Sequence, residues 1–316
     1  MRSSDTTLEV ESSACPLCEG TAAEFVMAGG DRLHQRPGRF QVVKCTGCGL
    51  MRTDPRPTAG SMGDYYPVDY GPYLQTAVSP SGWLRETLRR LADPFDTATP
   101  RVVPGHMLEI GTASGNFALE MRRRGWRVTG IELDPTSARR AQVRLESAVL
   151  CGDVLDMSLE AGQYDLICAW MTLEHLRNPV LALKKCHDWL RPGGWLAFSV
   201  PDCGGWQFRM FREDWFATQL PTHLYHFTPP LLRDMLDSCG YDNVAIRWQR
   251  TLFDVLMSVA YLVENRGGER LGRAARALAR SLAGRVTARG LGLLAAPFRL
   301  TGRLTVWAQK QEAEHR

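Results

Sequence analysis

The sequence predicts an α/β fold, a doubly wound and mostly parallel sheet, preceded by a small cysteine-rich module and interrupted by a helical insertion before its last strand. Three observations carry this. Leu108 to Asp134 reads as strand, turn, helix and second strand, and two Cys-x-x-Cys pairs stand near the start of the chain. Roughly a hundred residues around and beyond that unit alternate apolar strand runs with amphipathic helices, a pattern that builds a parallel sheet covered on both faces.

The 316 residues leave room for one large domain and an appendage. A hydrophobic fraction of 44% is that of a globular chain. The net charge of +4 is too small for a general polyanion binder, which excludes nucleic acid as the default partner. No run of eighteen apolar residues occurs, and Met1 to Ser13 lacks the apolar centre of a signal peptide, so a cytoplasmic location is expected. Of the nine cysteines, five are scattered singly through strand and helix patterns, as buried thiols in a reducing compartment would be.

The other four are Cys15, Cys18, Cys45 and Cys48. Each Cys-x-x-Cys pair sets two thiolates on a tight turn, and two such turns brought together offer the tetrahedral sulfur ligation that suits zinc. A zinc ribbon over residues 1–55 is therefore expected, its metal structural because so short a segment cannot bury a core of its own. His34, between the knuckles, is read as a lone surface histidine. Residues 56–102 are expected to be linker and lid helix. Tyr65, Tyr66, Tyr70 and Tyr73 cluster too densely for a solvated linker, as a lid or as a wrap on the main domain. Trp83 to Leu91 has helical spacing.

The core is expected over 103–250. Its first strand, Met107 to Ile110, breaks into Gly111, Thr112, Ala113, Ser114 and Gly115, and a helix follows from Asn116 to Arg124. A turn so poor in side chains lets a ligand touch the backbone. The next strand ends at Glu132, roughly twenty residues beyond the turn, where a carboxylate can accept from both hydroxyls of a ribose. An adenosine-containing ligand is implied. A dinucleotide is not, because the three positions of its glycine fingerprint hold Gly111, Ala113 and Asn116.

Further elements follow in order. Asp134 caps a helix over Pro135 to Glu146; Val149 and Leu150 lead to Gly152 and Asp153; Tyr164 to Ala169 is an apolar strand; Val180 to Leu190 is a helix; and Arg191-Pro-Gly-Gly194 turns into a strand over Trp195 to Val200. Thr228 with Pro229 and Pro230 starts a helix over Leu231 to Cys239, and Val244 to Trp248 is a strand. Residues 251–302 form a helical insertion in which Arg273, Arg276 and Arg280 share one face and Leu271, Leu278 and Leu282 another. Such a basic amphipathic hairpin can lie on an anionic membrane or hold an acidic substrate; the alternative is a solvated face packed on its own domain. The last strand and tail occupy 303–316.

The small-residue turn with Glu109 before it, the acidic strand end and the Pro-Gly-Gly turn resemble the motifs of the class I S-adenosylmethionine-dependent methyltransferases, over roughly Val103 to Val200. The middle glycine of the first motif is Ala113 here. The resemblance implies a Rossmann-like sheet. It also implies that Glu109 approaches the methionine amino group of S-adenosyl-L-methionine, that Gly111, Ala113 and Gly115 allow close approach, with Asn116 and Phe117 beside them, and that Glu132 and Leu133 hold the ribose. Asp153 would face the adenine amino group with Val154 by the ring, and Ala169, Trp170 and Met171 would lie over the methyl donor. Glu174-His175 is similar to an element of many small-molecule members. Trp215 to Thr228, with His223 and His226, resembles a stretch of the zinc-ribbon and ubiquinone-type O-methyltransferases.

Those likenesses imply methyl transfer to a hydroxyl of a small molecule, such as a sugar, glycan or natural-product intermediate, free or carrier- or lipid-linked. His223 is the first candidate base, then His175 and His226, with Glu174 orienting a histidine or holding a metal. Sugar C-methylation is the competing chemistry, weakened because Tyr225 is followed by His226 and Phe227 rather than by glutamate and histidine. A zinc-ribbon protein binding or modifying RNA is the reading from another class.

Overall fold

A computed structural model describes residues 8–66 and 98–312. The expected helix Trp83 to Leu91, and Tyr70 and Tyr73, lie outside them. In chain order the strands are β1 (Val10–Glu11), β2 (Ala23–Gly29), β3 (Phe40–Cys45), β4 (Met51–Thr53), β5 (Arg56–Pro57), β6 (His106–Ile110), β7 (Arg127–Glu132), β8 (Val149–Cys151), β9 (Tyr164–Trp170), β10 (Leu190–Pro201), β11 (Tyr225–His226), β12 (Tyr241–Trp248) and β13 (Arg303–Lys310). The helices are α1 (Ala59–Met62), α2 (Asn116–Arg123), α3 (Pro135–Leu145), α4 (Pro179–Trp189), α5 (Trp206–Phe211), α6 (Pro229–Ser238), α7 (Phe253–Asn265), α8 (Glu269–Arg280) and α9 (Leu282–Ala295).

The central sheet has the order β12-β13-β10-β9-β6-β7-β8. Strands β8, β7, β6, β9 and β10 run parallel, while β13 is antiparallel to both its neighbours. Alternate residues of each strand enter different cores, as the period of two requires. Met107, Val128, Leu166 and Cys168 pack with Ala118 and Met121 of α2 and Ala138, Ala141 and Leu145 of α3. Leu108, Ile131, Ile167 and Phe198 pack on the other face with Val180, Leu183 and Trp189 of α4 and Leu232 of α6. The expected doubly wound arrangement is what these residues form. Between β6 and β9 the winding reverses direction, and such a switch point leaves a crevice at the carboxyl ends of the strands.

Local signals start the helices. Asp134 accepts from the Ser137 N–H at 2.7 Å ahead of Pro135, and Asn178 accepts from Leu181 N at 2.9 Å ahead of Pro179. At α6, Thr228 holds the cap position but its hydroxyl makes no capping bond, so Pro229 in the first turn does the work expected of the pair.

The N-terminal module does not stand apart as a ribbon over 1–55 alone. Its antiparallel sheet has the order β11-β4-β3-β2, so a two-residue strand from the far end of the core completes it. Tyr225 pairs with Arg52 and His226 with Met51, and the Thr53 N–H donates to the Leu224 carbonyl at 2.9 Å. Met27, Phe40, Val42 and Tyr65 then share one apolar cluster with Phe208, Phe211, Trp215 and Leu220. Tyr65 is therefore a wrap: it packs edge-on against Phe40 and its hydroxyl donates to the Pro37 carbonyl.

The insertion, α7 to α9, lies between β12 and β13 as expected. It is tied to the sheet by a buried ion pair: Arg303 donates from Nε to Asp254 Oδ2 at 2.7 Å and from Nη2 to Oδ1 at 3.0 Å. Two parallel bonds satisfy both oxygens, the condition under which a buried pair holds. Asp254→Ala would leave the guanidinium buried without its counter-charge. It should lower unfolding free energy by about 3–5 kcal/mol in urea titration, and a loss under about 1 kcal/mol would mean that the pair is not what ties the insertion down.

Candidate functional site

The expected ligand turn forms at the carboxyl end of β6. Gly111 and Gly115 have φ of +75° and +74°, the left-handed region where a side chain is strained, and a Cβ on Gly111 would stand 2.6 Å from Thr172 Oγ1. The backbone thus approaches the loop after β9 as closely as a glycine allows. Ala113 also has positive φ, +47°, and its N–H donates to Glu132 Oε2 at 2.7 Å. Glu132 Oε1 accepts from Asp134 N at 3.0 Å, so this carboxylate ties the end of β7 to the turn and is itself buried. Each of its oxygens keeps a second lone pair for a ribose hydroxyl.

Glu109 carries the stronger sign of a missing partner. It is buried, burial pushes its carboxyl well above the usual range, and Oε2 meets no donor while the Ala118 N–H reaches the carboxyl. A buried carboxylate oxygen without a donor is costly unless a cation or donor completes it. The α-amino group of an aminoacyl ligand would do so. Asp153 accepts from its own Leu155 N–H at 2.9 Å and Val154 is buried beneath it. Ala169 is buried, Trp170 stacks edge-on with Phe117 at 5.2 Å, and Met171 turns with φ of +50°. Asn116 opens α2, and Leu133 is exposed beside Glu132.

Directly after Thr172, Leu173–His175 forms a 3₁₀ turn that carries Glu174 and His175. There they meet His223: one ligand atom from each of Glu174, His175 and His223 lies within 4.8 Å of the others. The two imidazoles stand edge to face at 4.6 Å. Glu174 is fully buried, no other residue among those described partners either carboxylate oxygen, and burial pushes it up to about 8. Burial moves His175 the other way, down to about 4, and holds His223 well below its ordinary value, with His175, His226 and Arg303 adding to the shift. Burial thus disfavours the charged form of each of the three.

Hydrogen bonds assign the nitrogens. His175 Nδ1 lies 2.9 Å from the Thr222 carbonyl and 2.9 Å from the Tyr66 hydroxyl. A carbonyl only accepts, so Nδ1 carries the proton and the basic lone pair is on Nε2. Thr53 Oγ1 donates its single proton to the His223 carbonyl at 2.7 Å and must accept from His226 Nε2 at 3.2 Å. His226 therefore braces Thr53 and stays outside the Glu174 group. Tyr66 was read from sequence only as one of a tyrosine cluster, a lid or a wrap; Thr53 and Thr172 were not singled out, and neither was Arg303, whose Nη1 lies 3.0 Å from Met171 Sδ. A signal existed for Thr172, which directly follows Met171, the last residue expected over the methyl donor.

The four N-terminal cysteines converge. Their sulfurs lie within 4.8 Å of one another, with Cys15 to Cys48 and Cys18 to Cys45 each at 3.4 Å. Those separations exceed a disulfide bond of about 2.05 Å and are near the sulfur spacing around one tetrahedral zinc with bonds of about 2.3 Å. Burial opposes ionisation of Cys45, but the N–H groups of Cys48 and Gly47 and the Cys18 thiol bring it down to about 7. His34 lies half-buried away from them.

Residues 83–246, more than half of the chain, match the family described as a methyltransferase domain. A ubiquinone biosynthesis O-methyltransferase of Chromobacterium violaceum is 36% identical over 100 residues, 30% of this chain and 43% of that protein. The corresponding protein of Cereibacter sphaeroides is 27% identical over 187 residues, covering 53% of this chain and 76% of its own length. The chain thus spans about half the length of several curated relatives it matches, 43% and 56% in two of them. Among solved structures, a phosphoethanolamine N-methyltransferase 2 of Haemonchus contortus, bound to phosphomonomethylethanolamine and S-adenosylhomocysteine, superposes with a TM-score of 0.51. It is 16% identical, over 92% of this chain and 69% of that one, and shows the fold.

Gly111→Ala tests the turn directly. It should cost about 1–2 kcal/mol of stability, the penalty of a left-handed L-residue, and should abolish calorimetric uptake of S-adenosylhomocysteine; uptake at unchanged affinity would remove Gly111 from the ligand site.

Proposed function

The chain belongs to the class I S-adenosylmethionine-dependent methyltransferases, and from that premise we propose that it methylates a hydroxyl oxygen of a small molecule with His223 as the base. What carries the reading is the buried Glu174, His175 and His223 cluster, just beyond the Thr172 that packs on Gly111. The curated relatives support an oxygen acceptor, since both are named for O-methylation in ubiquinone biosynthesis.

S-adenosyl-L-methionine supplies a methyl group on a sulfonium. The protein's part is to hold the partners in line and to remove one proton. Glu109, the Gly111 to Gly115 turn and Glu132 hold the adenosyl and aminoacyl parts; Trp170 and Met171, at the end of β9, border the side from which an acceptor comes. Alignment of this kind supplies about 7–11 kcal/mol of such a barrier. A positioned base adds about 10²- to 10⁴-fold in rate. As the hydroxyl is methylated, its proton passes to His223. The imidazolium so formed lies beside Glu174, whose unpaired carboxyl oxygens offer its N–H an acceptor. Arg303 adds a fixed positive charge that favours ionised Glu174.

The same cluster has the donor set for a divalent cation, so the assay carries a chelator arm. His223→Ala should lower turnover 10²- to 10⁴-fold against hydroxylated phenols and glycans while uptake of S-adenosylhomocysteine persists. Unchanged turnover would take His223 out of the mechanism; activity lost to chelator and regained with magnesium would move the work to a metal.

The pH profile follows from burial. A base works only when unprotonated, and a depressed value keeps His223 unprotonated as pH falls past 6.5. The rate should therefore hold steady from neutrality through pH 6, and a half-maximal point near 6.5 would indicate a solvated histidine.

We infer that Cys15, Cys18, Cys45 and Cys48 hold a structural zinc ion. Native mass spectrometry should find one zinc per chain, lost in a Cys18→Ser/Cys45→Ser variant. Because the ribbon's Thr53 supports His223 and His226, that variant should also lose thermal stability, and an apo protein of unchanged melting temperature would contradict this role.

A further inference from the structure

Helices α8 and α9 pack inside out. Their buried positions are small: Gly272, Ala279, Gly284, Ala288 and Gly292. A Cβ on Gly272 would stand 2.1 Å from Glu264 Cγ and 2.8 Å from the Ala260 carbonyl, and one on Gly292 would stand 2.3 Å from Thr251 N. Backbone therefore lies against backbone, as it does where helices meet through small residues. The large apolar side chains are left outside. Leu271 and Leu278, seven apart and so on one face of α8, are 72% and 66% exposed; Leu294 and Phe298 are 72% and 74% exposed. An ordinary surface helix turns these residues inward.

Charge decides what fits this face. Positions 269 to 300 contain seven arginines and one acidic residue, Glu269, which lies 3.9 Å from Arg273 in an exposed pair. Arg276 is used internally, 3.0 Å from Glu264 and over the Tyr261 ring, but Arg270, Arg273 and Arg280 are exposed on α8. Leucines alone would suit a second copy of the chain. Two copies meeting here would also oppose two sets of seven arginines, with Glu269 the single acidic residue on each side to offset them. Nucleic acid would take the arginines and leave the leucines in water. An anionic bilayer surface takes both, apolar side chains at the acyl boundary and guanidinium groups at the lipid phosphates. Among the described residues no helix is long and apolar enough to cross a membrane.

We propose that α8, α9 and the Phe298 turn form a docking face for the surface of a bilayer that contains anionic lipid. The face is reached through α7, whose Asp254 holds Arg303, and Arg303 reaches Met171 at the end of β9. Docking would thus be anchored on the element that borders the acceptor side. The proposal is independent of His223 and of the acceptor's identity.

Flotation of the full chain with vesicles of phosphatidylcholine, or of phosphatidylcholine with phosphatidylglycerol, tests it. The protein should float with the phosphatidylglycerol vesicles, remain behind with phosphatidylcholine alone, and be released by salt. Arg273→Gln/Arg280→Gln should weaken vesicle affinity about thirtyfold, at roughly fivefold per arginine. Leu271→Ser/Leu278→Ser should abolish flotation, while thermal melting and uptake of S-adenosylhomocysteine stay unchanged, because these side chains touch no core. Three results would overturn the proposal: no flotation with phosphatidylglycerol at low salt, flotation indifferent to both variants, or a dimer in light scattering that the serine variant converts to monomer.

Discussion

The pairing of Tyr225 and His226 with Arg52 and Met51 is the contact on which the arrangement of the site depends. It inserts a strand of the core into the N-terminal sheet, and in doing so sets Thr53 between the His223 carbonyl and His226 Nε2. A two-residue strand has little stability of its own, since a lone hairpin is marginal in water. Here it is held by the rest of a four-stranded sheet and by the cluster that Phe40 and Val42 share with Phe208 and Trp215. The cysteine module, with its four convergent sulfurs, is thereby also a strut for the histidines. Distance along the chain hides this: Thr53 and His223 are 170 residues apart.

Burial supplies the chemistry. Glu109, Glu132 and Glu174 are carboxyls taken out of water, and in each the largest influence is burial, which raises them. Their surroundings then separate their roles. Glu132 accepts two backbone N–H groups and acts as a brace for the turn, whereas Glu109 and Glu174 retain oxygens that no other described residue satisfies. Unsatisfied buried oxygens are costly to keep. Burial disfavours charge on these groups, and it also leaves little solvent around them to reorganise.

The insertion follows a different logic from the core. In the sheet, large apolar residues fill the interior and the helices cover them. In α8 and α9, glycine and alanine fill the interior and leucine faces outward, so packing is tight and the apolar surface remains available. The Asp254 to Arg303 pair joins the two regimes at the first residue of β13. That position matters because β13 is antiparallel between β10 and β12, and a displaced insertion would disturb two strand pairings.

Much of this was legible in the sequence wherever the determinant is local. The alternation of strands and helices, the small-residue turn, the Asp134 cap and the two cysteine knuckles each depend on sterics or hydrogen bonds within a few residues, and these appear where expected. The cluster of Glu174, His175 and His223 was legible only as candidates, because nothing along the chain says that residues 48 apart meet, or that His226 is turned toward Thr53 instead. Arg303 read as part of an apolar last strand, and its burial against Asp254 depends on a contact across 49 residues. The amphipathic stripes of α8 were also plain, but periodicity locates a stripe without saying which side faces the protein. Glycine seams decided that. Sequence by itself determined which elements form and which groups carry chemistry, since both follow from covalent structure and near neighbours. Tertiary structure alone decided which groups meet, which are stripped of water and which apolar faces stay open, since those are properties of surfaces that exist only once distant segments pack.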